Sequence, residues 1–239
     1  MGVGKTRLIR FSRVVSLSHT LQPGVPCWPG DPPMSIEPVA ELHQDGYYLN
    51  RLTLGEHTGT HVNAPNHFFA GGRGVDQLPA DLLVLPAVVI DCRQAAAANP
   101  DFVLTPSDIG RFEERFGLVP PGSAVLLLTG WHARWPDEQA YLNAGPDGRF
   151  HFPGFGEDAV RFLLEERGAS AFGIDTHGLD PGADDTYSAN KRALAHGALV
   201  LENLTNLDLL PPIGSTVVIG VLRVAGGSGA PAAVLALAP

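Results

Sequence analysis

Glu56-His57-Thr58-Gly59-Thr60-His61-Val62-Asn63-Ala64-Pro65-Asn66-His67-Phe68 decides how the rest of the chain is read. Three of the nine histidines fall between positions 57 and 67, punctuated by Gly59 and Pro65. Imidazole binds transition metals and titrates near neutrality, so such a cluster can carry a metal site, acid–base chemistry or both. One histidine in a polar loop is ordinarily solvated; three in a compact, turn-rich segment point to a site. A helical turn beginning at His57 would set His57 and His61 on one face, and Pro65 would stop it from continuing.

The surroundings fit an enzyme-like chain. At 239 residues and 44% hydrophobic composition it can bury a large core. No linker divides it, so residues 13–239 are read as a single domain. Residues 1–12 are read as a flexible extension. Within it, Gly2-Val3-Gly4-Lys5-Thr6 imitates the end of a phosphate-binding loop but lacks the earlier glycine and the preceding strand. Charged residues are sparse at 17%, while 28 glycines and 21 prolines favour a loop-rich α/β fold over a helical bundle. A net charge of −9 argues against nucleic acid and anionic membranes as partners. Two cysteines are too few for a disulfide framework, and no apolar run is long enough to span a bilayer. A cytoplasmic location is the default expectation.

Periodicity supplies the elements. Strands are expected at 13–18, 47–54, 87–92, 123–129, 171–175, 199–204, 216–224 and 232–237. Helices are expected at 76–83, at 106–116 behind a Thr105 cap, at 157–167 up to Gly168, and at 189–196. Residues 136–153 read as an irregular excursion. Cys27-Trp28-Pro29-Gly30-Asp31-Pro32-Pro33 is too rich in proline for a helix or central strand, and holds Trp28 as either a core plug or a pocket wall. Asp175-Thr176-His177 follows a strand at the end where α/β folds usually carry sites. Glu202, taken on its residues alone, reads as an edge residue facing water more readily than as a buried ligand or base.

The segment His57-Thr-Gly-Thr-His61-Val-Asn63-Ala-Pro65-Asn-His67 resembles the signature of the metal-dependent cyclase family. That family includes kynurenine formamidases, isatin hydrolases and aromatic polyketide cyclases. Trp28-Pro29-Gly30-Asp31, Thr129-Gly130-Trp131, Gly173-Ile174-Asp175-Thr176, Glu202-Asn203-Leu204 and Gly229-Ala230-Pro231 extend the resemblance along the chain. It implies a swivelling β/β/α fold, a mixed sheet in a barrel-like arrangement flanked by helices, assembled as a homodimer or homotetramer.

By position, the resemblance implies metal ligands at His57, His61, residue 63, His67 and Glu202. The family's bridging aspartate is Asn63 here, and a further ligand histidine is Asn190. A neutral amide rarely serves zinc, so one divalent ion, Zn or Mn, is expected and a second is not. His67 and Glu202 are the candidate catalytic bases. Trp28, Phe68, Phe69, Trp131 and His177 are the candidate substrate-binding residues for a small carbonyl substrate. Loss of the bridging carboxylate leans the reading to aldol-type ring closure of a polyketide-like chain. The alternative is hydrolysis of an amide or lactam.

Overall fold

The structure, a computed structural model, describes residues 8–239. The phosphate-loop imitation at Gly2–Thr6 therefore lies outside the described residues. In chain order the elements are β1 (Arg13–Ser16), β2 (Ser35–Ala40), α1 (Leu42–Asp45), β3 (Leu49–Thr53), β4 (His61–Asn63), β5 (Val84–Asp91) and α2 (Arg93–Ala98). Next come β6 (Val103–Leu104), α3 (Pro106–Phe116), β7 (Ala124–Leu128), α4 (Glu138–Leu142), β8 (Gly154–Phe155) and α5 (Glu157–Arg167). The last are β9 (Ala171–Ile174), α6 (Ser188–Ala195), β10 (Leu199–Glu202), β11 (Ile213–Val221) and β12 (Gly229–Ala238).

Seven strands close a mixed barrel in the order β12-β11-β5-β7-β9-β10-β4, and β4 pairs back onto β12. β5, β7, β9 and β10 run parallel, which requires crossovers; these carry the helices. Alternation along β7 shows the two faces. Ala124, Leu126 and Leu128 fill the barrel, while Val125 and Leu127 pack outward with Ile109 and Phe112 of α3 and Leu163 of α5. Fully burying one such Leu, Val or Phe side chain contributes roughly 1.5–3 kcal/mol, so the wall is tightly held on both faces.

Local chemistry sets the helix ends. Thr105 and Asp108 form a reciprocal cap on α3, and Gly168 closes α5 in a left-handed conformation. The turn at His57 is not helical. Gly59 adopts φ +66°, where an added Cβ would lie 2.4 Å from Leu21, and the chain leaves it directly into β4. The expected helix at 76–83 is two short 3-10 turns separated at Leu78-Pro79. The excursion at 136–153 holds α4, capped by the Asp137 carboxylate. β2 pairs only with β3, forming a separate hairpin whose Ile36, Val39, Leu49 and Leu52 are exposed. Among the described residues no helix is long and apolar enough to cross a membrane.

Candidate active site

β10 and β4 are antiparallel with Glu202 opposite His61 and Val200 opposite Asn63. Val200 belongs to the outer, helix-facing core, and Val62 to the barrel interior. The period of two therefore places Glu202, His61 and Asn63 together on the outside of the barrel wall. Glu202 lies on an interior strand and is 5% exposed, so the reading of it as a water-facing edge residue is corrected. His57 reaches the same place from the preceding turn, its ring 5.0 Å from that of His61, and the His67 ring lies 4.2 Å from that of His57, tilted by 39°. Gly229, opposite Asn63 on β12, makes the room. A Cβ there would meet His57 Cε1 at 2.6 Å.

Hydrogen bonds assign the protons. His61 Nδ1 lies 2.8 Å from the Gly59 carbonyl, which can only accept, so that nitrogen is protonated. Its Nε2 is buried with no aligned partner, 3.1 Å from Glu202 Oε2. A second run starts at Glu202. Asn190 donates to it at 2.8 Å and Asn63 donates to Asn190 at 3.3 Å, which leaves Asn63 Oδ1 facing His57 Nδ1 at 2.9 Å. From the other side, the Ser228 hydroxyl donates to Glu56 at 2.6 Å, so its oxygen faces His57 Nε2 as an acceptor at 3.0 Å. Donors thus point outward to a carboxylate at each end, and the two runs meet at His57. Only an imidazolium donates from both nitrogens.

Burial, then the neighbouring His61 and His67, push His57 down to about 4, so at neutral pH it has one proton for two acceptors. Burial alone would raise Glu202, but the adjacent His61 ring, the Asn190 amide and His57 outweigh it and hold the carboxyl at about 2. His57 therefore faces one acceptor without a proton to offer it, and the Glu202 carboxylate beside the imidazoles is an anionic charge that a cation would balance. Among the described residues no three His, Cys, Asp or Glu side chains already converge as a ready cage. The donor set nevertheless fits one cation: imidazole lone pairs, an amide oxygen and a single carboxylate.

A cavity of about 550 Å³ opens in front of these groups. Trp28, Phe68, Phe150, Phe152 and Tyr187 form its aromatic walls, and His177 lines it with its ring stacked 5.2 Å from Trp28. Burial pushes His177 down to about 4, so it is a neutral wall at pH 7. His67, exposed at the cavity, is also lowered, chiefly by desolvation.

Two expected substrate contacts are corrected. Trp131 is buried behind the cavity, its indole N–H donating to the Tyr141 carbonyl, because the Thr129-Gly130 turn is tied down by Asp175. Phe69 faces an open surface groove beside α5 and α6 rather than the cavity. Ser228 and Phe150 carried no sequence signal of their own. Glu56 was visible only as a neighbour of His57, and Gly229 only as part of the last motif match.

The family model named Cyclase matches residues 15–181, about 70% of the chain. The chain belongs to the cyclase family. An isatin hydrolase of Roseibium aggregatum is 34% identical, with all of this chain and 96% of that protein covered. The solved structure of isatin hydrolase A from Ralstonia solanacearum superposes with a TM-score of 0.89 at 35% identity, covering 95% of this chain and 92% of that one. A structure described as a potential metal-dependent hydrolase with cyclase activity gives a TM-score of 0.73 at 25% identity, covering 94% and 96%. The barrel and its flanking helices are the cyclase-type fold.

Proposed function

We propose that this cyclase-family chain is a metal-dependent hydrolase that cleaves the C–N bond of a small, planar cyclic amide. The whole-length similarity to isatin hydrolases carries the reading. The aromatic-walled cavity beside the histidines supports it. Ring closure of a polyketide-like chain, expected from the loss of an aspartate at position 63, draws no support from these relatives and is set aside.

His57, His61 and Glu202 would hold one divalent ion, with Asn63 as a neutral neighbour. When bound, such an ion polarises a carbonyl and lowers the pKa of water at the site. The chain's own groups do the rest. Trp28 and Phe68 line the cavity and would offer their rings to a planar substrate. Glu202, held at about 2, is too weak a base to take a proton at neutral pH and serves as the anionic ligand. His67 is the proton carrier: neutral, lining the cavity with its ring 4.2 Å from that of His57, it can accept a proton from water and deliver it to the leaving nitrogen.

The test is incubation of metal-supplemented protein with isatin and, separately, formylkynurenine, following ring opening or deformylation by absorbance. Turnover of isatin supports the reading. Metal-loaded protein that hydrolyses neither these nor other five-membered lactams would sink it.

A further inference from the structure

The turn that leads into α6 contains a conformation its sequence does not favour. Tyr187 sits at φ 55°, ψ 42°, in the left-handed region. Among the described residues the other non-glycine positions with positive φ are all asparagine: Asn143, Asn203 and Asn206. Asparagine tolerates this region, whereas a bulky aromatic there is an outlier and persists only where its surroundings force it.

The forcing contacts lie on both sides. Before Tyr187, Asp184 accepts from the Thr186 amide at 2.8 Å and the Ser188 hydroxyl at 2.7 Å. After it, Asp180 accepts from the amides of Ala189 and Asn190, and Tyr187's own carbonyl accepts from Lys191. A turn clamped in this way would take glycine or asparagine without strain. The tyrosine is explained by where its side chain goes.

Its ring lines the cavity and meets Phe68 at 5.5 Å, Phe68 meets His67 at 4.4 Å, and His67 meets His57 at 4.2 Å. One file of rings thus runs from the cavity rim to the metal-facing histidine. Among the described residues lining the cavity, Tyr187 is also the one that bears a hydroxyl. The amides of Asn63 and Asn190 are committed to each other and to Glu202.

We infer that Tyr187 is a specificity-determining substrate contact. Its ring completes the aromatic wall with Phe68, and its hydroxyl donates to a carbonyl of a neutral, planar amide. This rests on the hydrolase reading for its choice of ligand.

The test uses Tyr187→Phe and Tyr187→Asn in the full chain with metal added. Three readouts are needed: isatin hydrolysis, binding of the less activated lactam oxindole by calorimetry, and thermal unfolding. Tyr187→Asn relieves the backbone, so its Tm is expected within about 2 °C of the parent or above it, while KM for isatin and Kd for oxindole rise at least about tenfold. Tyr187→Phe keeps the ring, and a rise of about fivefold in both constants is expected from loss of the hydrogen bond alone, with kcat within about twofold.

Unchanged KM and Kd in both variants overturn the inference, as does a Tm loss above about 4 °C in Tyr187→Asn with binding intact. If the parent leaves isatin untouched yet binds oxindole in a Tyr187-dependent way, the hydrolase reading fails and this contact stands. If the parent neither binds nor hydrolyses, both fail.

Discussion

Replacing Glu202 by glutamine tests whether charge at the centre of the site stabilises the fold. Glutamine keeps the shape and an acceptor for the Leu179 and Asn190 donors, but removes the negative charge beside His61 and His57. In the folded chain the carboxyl is held at about 2 against an ordinary 4.5. At about 1.36 kcal/mol for each unit, that difference is roughly 3 kcal/mol of stability at neutral pH. The sign follows from the depressed value. The contribution is complete above about pH 4.5, where the unfolded carboxylate is also ionised, and is lost as pH falls towards 2. With chelator present to exclude metal effects, Glu202→Gln is expected to lower Tm by about 6–12 °C at pH 7. The gap between parent and variant should close between about pH 4.5 and 2. A gap that stays constant over that range would show that packing, not charge, is responsible and refute the reasoning.

Asp180, buried at the start of α6, is pushed up to about 7 by desolvation, which the Ala189 and Asn190 amides only partly offset. A raised carboxyl costs stability as pH climbs from about 4 to 7, so the Tm of Asp180→Asn relative to the parent should rise across that range and level off by about pH 8; a difference that stays constant or falls over that range in calorimetry refutes this. Gly229→Ala drives a Cβ to 2.7 Å from the Val62 carbonyl as well as into His57, and should cost about 1–3 kcal/mol and at least about tenfold in isatin turnover. An active, equally stable variant would show that His57 can move away freely. His57→Ala should abolish metal retention by atomic emission, whereas Asn63→Asp with Asn190→His should raise the metal-to-protein ratio. Unchanged ratios in both would remove the proposed ligand set.

The regular elements were legible because their signals are local. The Thr105 cap, the Gly168 stop and the β-branched run at Val88-Val89-Ile90 depend on neighbours a few residues away. The β2–β3 hairpin was half missed, since Ser35–Ala40 contains a proline and carries no buried face to pattern. Spacing alone leaves the turn at His57 open to a helix; the left-handed Gly59, packed on Leu21, excludes it, and that contact spans 38 positions in the chain. At the site, the histidines announced themselves by type and spacing. Their proton economy did not. That depends on Ser228, brought to His57 by the β4–β12 pairing, and on Asn190, brought to Glu202 by the packing of α6 against the sheet. Trp131 was misplaced for the same reason: the residues that bury it, Asp175 and Tyr141, are 44 and 10 positions away in the chain.

β4 is only three residues long, yet it is the stave that closes the barrel, and its partners are Val200–Glu202 and Gly229–Pro231. During synthesis its histidines are made first among the site's strands and must wait for nearly the whole chain. Closing a loop of that length is slow compared with forming local structure. His61 therefore meets Glu202 no earlier than residue 202 is made, and the second edge of β4 is covered only once residues 229–231 have been added. Truncation before β12 would leave β4 paired along one edge only, against β10, with the barrel open on the other.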